Sequence, residues 1–170
     1  IFFYTGLLKL AETEAEVMSV MSHEVAHVTK RHIAQKLVAS YGLNALTAAA
    51  LGDNPGLISK LAAAIAQQGA LLTFTRKQEA QADEVGIKYM IAADYDPQGF
   101  VGFFEKLKAQ SSIRLPTILS SHPLPEDRID SAKEEIGGRE FKDATVGRSN
   151  HQEILEAIES GGTGGGNGSD

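Results

Sequence analysis

His23-Glu24-Val25-Ala26-His27 sets two imidazoles four residues apart, with a carboxylate beside the first. On an α-helix that spacing projects both rings from one face, a single turn from each other. Two neutral imidazoles held so can share one small cation. Zinc accepts imidazole nitrogen at ~2.0–2.1 Å, and a reactive zinc site has three protein ligands and a position for water. Glu24 is then placed to act on that water rather than on the metal. A pattern this short also arises by chance, but chance need not drop it inside a strongly helical segment.

That segment is expected to run as one long helix from about Glu14 to Tyr41. Thr13 with Glu16 three residues on has the capping-box pattern, and Tyr41-Gly42 closes the helix. Val17, Met18, Val20, Met21, Val25 and Val28 give it a wide apolar surface, so it should be largely buried. A His-Glu-His triple within such a surface is costly unless something satisfies it, and a metal would.

The rest of the chain reads as helix after helix. Ile1 to Tyr4 is β-branched and aromatic, the end of a strand closed by Thr5-Gly6, with a short helical turn over Leu7 to Leu10. Leu43 to Leu51 and Leu57 to Leu72 read as helices around the turn cluster Gly52 to Gly56. Thr75 caps a helix from Arg76 to about Ala93, with Gln78 at its third position. Asp96-Pro97 starts another that reaches about Gln110. Ser111 to Pro123 is irregular, Pro125 opens a helix ending near Gly137-Gly138, and His151 to Glu159 is amphipathic. The expected fold is mainly α with a small β element, one domain over 1–160 and a Gly-rich flexible tail over 161–170.

The composition limits the ligands. There are no cysteines among 170 residues, which excludes disulfides and thiolate zinc sites and leaves His, Asp and Glu. A net charge of -6 without a dense basic cluster argues against nucleic acid as a partner. No transmembrane segment is expected, since the longest apolar candidate, Leu57 to Phe74, is interrupted by Lys60, Gln67, Gln68 and Gly69. The chain starts at Ile1 without methionine, so a preceding segment is expected.

Glu79 and Asp83 are four apart on the helix after Thr75, flanked by Ala80 and Ala82, whose small side chains would allow close approach to the His23 helix. One carboxylate completes a two-histidine, one-carboxylate set. The other can accept the free ring N–H of a ligating histidine. Alone, the pair would read as a solvated acidic face beside Arg76 and Lys77; with the upstream motif the ligand reading prevails.

Thr75-Arg76-Lys77-Gln78-Glu79-Ala80-Gln81-Ala82-Asp83 resembles the Ser/Thr-Arg-x-x-Glu-x-x-Ala-Asp signature of the HtpX/CAAX-protease family of gluzincin metallopeptidases. Ile1 to Leu8, Tyr95-Asp96-Pro97, and His122-Pro123 followed by Arg128-Ile129 fit the same family in the same order. The likeness covers Ile1 to about Gly137 and is nearest the soluble, BepA-like bacterial envelope branch.

The resemblance implies a zincin-like domain binding one Zn²⁺ per chain through His23, His27 and Glu79, with Glu24 as general base. Asp83 would hold His23, and Arg76 would tie the ligand helix in place. It implies a zinc-dependent endopeptidase acting on extended or unfolded protein segments in the bacterial periplasm or cell envelope, in the company of outer-membrane assembly machinery. The alternative is a chaperone or assembly factor with a shut, regulatory zinc site. His122 would be a surface histidine, a ligand that closes the metal, or a donor to the oxyanion. Arg128 would stabilise the transition state or form an ion pair with Glu126 or an acidic helix. His32, nine residues beyond His23, would lie about 180° around the helix and, like His151, at the surface.

Overall fold

The computed structural model describes residues 3, 5–42, 56, 59, 73–109, 122 and 127–161. The strand expected over Ile1 to Tyr4, the helices expected over 43–51 and 57–72, the irregular stretch before Pro123 and the tail beyond 161 lie outside those residues or almost wholly so. Within the described residues the chain is mainly helical, as expected.

α1 (Thr5–Leu10) and α2 (Glu14–Thr29) follow each other closely. Thr13 caps α2 by accepting from Glu16 N–H at 3.1 Å, and Glu16 reaches back to Glu12 N–H at 2.7 Å, one residue further than a capping box requires. Two further N–H groups at the start of α2 find backbone acceptors: Glu14 donates to the Gly147 carbonyl and Ala15 to that of Val146, both at 3.1 Å. These donors have no partner within the helix, so the returning chain supplies what its first turn cannot.

The long helix expected from Glu14 to Tyr41 is two. α2 stops at Thr29, and α3 (His32–Tyr41) sets off in a new direction from Arg31, whose φ of 55° is left-handed. Lys30 N–H still bonds Ala26 O at 2.9 Å, but Arg31 N–H turns back to Val28 O at 2.9 Å, tightening the last turn. Neither glycine nor proline marks the break.

α4 (Arg76–Ala92) begins with the full capping box expected of Thr75 and Gln78, each accepting from the other's backbone N–H at 3.2 Å. α5 (Gln98–Ala109) opens beneath Asp96, whose carboxylate accepts from Gln98 N–H at 2.9 Å. α6 (Asp127–Ile136) and α7 (Arg148–Gly161) complete the described helices. The segment between them laces back by an isolated parallel bridge, Tyr95 to Thr145.

α2 is the central element, packed most extensively on α4 and then on α5, with α6 closing over both. The core runs through Leu7, Leu10, Val20, Ile87, Met90, Phe100, Phe103, Phe104, Leu107 and Ile136. Glycine sets the approach of α4 to α2. A Cβ at Gly86 would lie 3.1 Å from the His23 backbone nitrogen and 3.3 Å from its Cα. Ala82, one turn before, is fully buried, whereas Ala80 is exposed. The α2–α5 contact is closer still, with a Cβ at Gly99 meeting the Ala15 backbone at 2.6 Å. Buried Glu16 is answered there by Lys106, whose Nζ lies 2.8 Å from both carboxylate oxygens.

His151 is not at the surface as expected. It is 1% exposed and donates from Nε2 to the Ala11 carbonyl at 2.8 Å, which pins α7 to the α1–α2 junction. An imidazole can be buried once a carbonyl takes its N–H.

Candidate metal centre

α2 delivers His23 and His27 from one face, and α4 brings Glu79 against them. His23 Nε2 and His27 Nε2 stand 3.0 Å apart. Glu79 Oε1 lies 3.4 Å from His27 Nε2, and Oε2 lies 3.5 Å from His23 Nε2. His122 joins them, with Nδ1 at 3.0 Å from Glu79 Oε1 and 3.3 Å from His23 Nε2. These four groups turn one donor atom each toward a common point, all within 4.8 Å of one another.

The spacing can be tested against a metal. Four ligands at ~2.0–2.1 Å in a tetrahedron are separated by about 3.3–3.4 Å. The closest contacts, taken over both Glu79 oxygens, run from 3.0 to 3.5 Å around that edge, and the set as a whole lies within 4.8 Å. Three imidazole nitrogens and a carboxylate converge where water is largely excluded, and among the described residues Glu79 Oε2 and His23 Nδ1 are left buried without a hydrogen bond. A divalent cation fits the set.

Asp83, one turn beyond Glu79, places Oδ1 2.8 Å from His23 Nδ1. Nδ1 makes no well-aligned hydrogen bond at that distance; a proton drawn to it by the carboxylate would leave the Nε2 lone pair aimed at the common point. Arg128, on α6, grips Asp83 through Nε to Oδ2 at 2.7 Å and Nη2 to Oδ1 at 2.6 Å. Its Nη1 also reaches Glu79 Oε2 at 2.9 Å, and the guanidinium stacks on Phe104 with Cζ 4.4 Å from the ring centre. Arg128 is 5% exposed, and among the described residues its carboxylate partners are Asp83 and Glu79; Glu126 lies outside them. Arg76, expected to tie α4 down, is exposed on its first turn, and Arg128 makes that tie.

The ionisation states follow from these contacts. Burial works against a charge on His23, but hydrogen bonds to Asp83 and Glu79 outweigh it and raise the imidazole to about 9 in the protein alone. His27 is pushed down by burial, which Glu79 only partly offsets. Burial would raise Glu79, yet contacts from His122, His23 and His27 hold it well below the usual carboxylate range. Asp83 is likewise lowered against its burial, by hydrogen bonds from His23 and Arg128.

Glu24 stands at the mouth of this cluster, half-buried, with Oε1 3.4 Å from His122 Nε2. The residue after the first histidine thus faces the fourth corner of the tetrahedron, the one His122 fills.

His32 lies where helix geometry did not place it. It is fully buried, with Nδ1 2.9 Å from His27 Nδ1 and Nε2 3.0 Å from Gln81 Oε1. The turn at Arg31 swings it back toward the site. Phe74 was also missed: it lies against His27 with ring centres 4.0 Å apart and against His122 at 5.1 Å. A phenylalanine just before a helix cap carries no signal of such a role.

Residues 1–136 match the family model described as peptidase family M48. The β-barrel assembly-enhancing protease of Escherichia coli K12 is 30% identical over 144 residues, covering 78% of this chain and 30% of that protein. The mitochondrial metalloendopeptidase OMA1 of Schizosaccharomyces pombe is 29% identical over 149 residues, 85% of this chain and 43% of its own length. The metalloprotease LoiP of Escherichia coli K12 is 27% identical over 143 residues, or 82% and 56%. The chain thus spans under a third of the β-barrel assembly-enhancing proteases it matches. With its zinc-type donor set on two packed helices and a family match over most of its length, the chain belongs to peptidase family M48.

Proposed function

We propose that this domain is a zinc-dependent endopeptidase that hydrolyses peptide bonds of unfolded or misassembled proteins in the bacterial envelope. The observation that carries it is the convergence of His23, His27 and Glu79 on one point, with Glu24 beside the fourth corner that His122 fills. Zinc held there supplies Lewis acidity, polarising the scissile carbonyl and acidifying a water molecule. Glu24 takes the proton from the attacking water and passes it to the leaving amine, the work of a positioned general acid–base. Asp83 keeps His23 oriented, and Arg128 neutralises Asp83 while restraining Glu79, so the ligands enter the reaction already placed. The relatives named for β-barrel assembly support protein substrates of that kind.

Glu24→Gln tests the mechanism. The variant should bind zinc as the wild type does, keep its fold, and lose hydrolysis of an unfolded protein by about 10²–10⁴-fold. Undiminished cleavage would overturn the assignment.

A second reading is supported by one contact. His122 Nδ1 takes the fourth corner, and four protein donors describe a closed site of structural type. In that state the domain would bind unfolded chains without cutting them, as an assembly factor does. Both readings share one molecule if His122 withdraws.

A further inference from the structure

The contact between His27 and His32 has a direction. They meet Nδ1 to Nδ1 at 2.9 Å, and two neutral imidazoles facing this way share a single proton: one donates, the other accepts. The far end of the chain decides which. Gln81 Oε1, 3.0 Å from His32 Nε2, is a carbonyl oxygen and only accepts. His32 therefore carries its proton on Nε2 and shows a lone pair at Nδ1. His27 must then donate from Nδ1, which leaves the lone pair on its Nε2, the atom facing His23 and Glu79.

We propose that His32 and Gln81 are positioning residues that hold His27 in the tautomer able to bind the metal. The inference rests on His27 being a metal ligand. Run in reverse, with Gln81 as donor, the same chain would put a proton on His27 Nε2 and point it at the cation.

Burial gives the chain its authority. His27 is 3% exposed and His32 0%, so water does not replace the contact between them, and Phe74 packed at 4.0 Å restrains the His27 ring. The two ligands of α2 are thus served differently. His23 leans on a buried carboxylate that needs Arg128 to neutralise it, whereas His27 leans on a neutral pair that needs no counter-charge. The last link, Gln81, is exposed on α4 and can be varied without opening the core.

The test uses the full chain, with zinc affinity measured by competition against a chromophoric chelator. Ring-nitrogen NMR of the metal-free protein reports the His27 tautomer directly, and a change of net charge alone does not alter it. Gln81→Glu, which can only accept, should bind zinc at least as tightly as the wild type and keep His27 protonated on Nδ1. Gln81→Lys, which can only donate, should weaken zinc by about 10–100-fold and move the His27 proton to Nε2. His32→Phe should lose a similar factor and leave His27 a mixture of tautomers. Wild-type affinity together with an unchanged His27 tautomer in Gln81→Lys and His32→Phe would overturn the inference alone. Zinc binding that survives His27→Ala undiminished would overturn the ligand reading, and the inference with it.

Discussion

His122 gives the site one more imidazole than an open zinc centre needs. Its Nδ1 contacts Glu79 and His23 while its Nε2 faces Glu24, so one ring fills the fourth corner and engages the proposed general base together. Water and His122 then compete for a single position. If that position is free in about a tenth of molecules, removing the competitor raises activity about tenfold. His122→Ala is accordingly expected to cleave an unfolded protein faster while binding zinc more weakly, having lost a donor. A fall in kcat with an unchanged KM would instead assign His122 to the oxyanion. The residues most legible in the sequence were those whose relation is fixed within one helix turn: His23 with His27, and Glu79 with Asp83. The place of Glu24 at the edge of the cluster was legible for the same reason, as the neighbour of His23. His32, Phe74 and the partners of Arg128 depend on where separate segments meet, and no local spacing encodes that. His32 was placed on the wrong side because 100° per residue was carried through a turn that is not helical.

Between elements, the decisive feature is how closely α4 lies on α2. At Gly86 the obstacle to a side chain is the backbone of His23 and Ser22, which cannot swing aside as a side chain would. Gly86 sits seven residues after Glu79, two turns along the same face, so any wedge there separates the carboxylate from both imidazoles. In the helix interior Gly→Ala gains up to ~1 kcal/mol of propensity, while forcing methyl groups into close packing costs ~1–3 kcal/mol. For Gly86→Val packing wins, because its propensity gain is smaller and its bulk greater. The variant should lose about 2 kcal/mol of stability in urea titration and bind zinc measurably more weakly. Unchanged stability and affinity would mean that the two helices do not meet there. Helix starts were legible because capping is local, as Thr13, Thr75 and Asp96 show. The end of α2 was not. Thr29-Lys30-Arg31-His32 has neither glycine nor proline, and a left-handed arginine is a cost that tertiary contacts meet, not a preference the sequence displays.

Across the whole molecule, metal binding and folding are one equilibrium, because the proposed ligands come from α2, from α4 and from His122 and meet only in the folded chain. Zinc at 100 times its dissociation constant stabilises the fold by ~2.7 kcal/mol, which for a domain of this size raises Tm by about 5–10 °C. The pH dependence has a definite sign. In the metal-free protein His23 is raised from 6.5 to about 9, so its protonated form contributes stability fully present below 6.5 and lost as pH rises through 9. Zinc needs that imidazole neutral, so binding must expel the proton throughout this window. Apparent affinity should therefore improve by about tenfold, or ~1.4 kcal/mol, per pH unit between 6.5 and 9. Thermal unfolding at constant chelator-buffered free zinc should show the gap between metal-bound and metal-free Tm widening steadily with pH across that range. At pH 7.5 calorimetry in buffers of different ionisation enthalpy should count about one proton released per zinc. A Tm gap that stays level with pH, with no proton released, would mean that His23 carries no proton for zinc to expel. Undiminished zinc binding in His23→Ala would mean that His23 does not receive the metal, and the site would then have to be rebuilt around His27, Glu79 and His122.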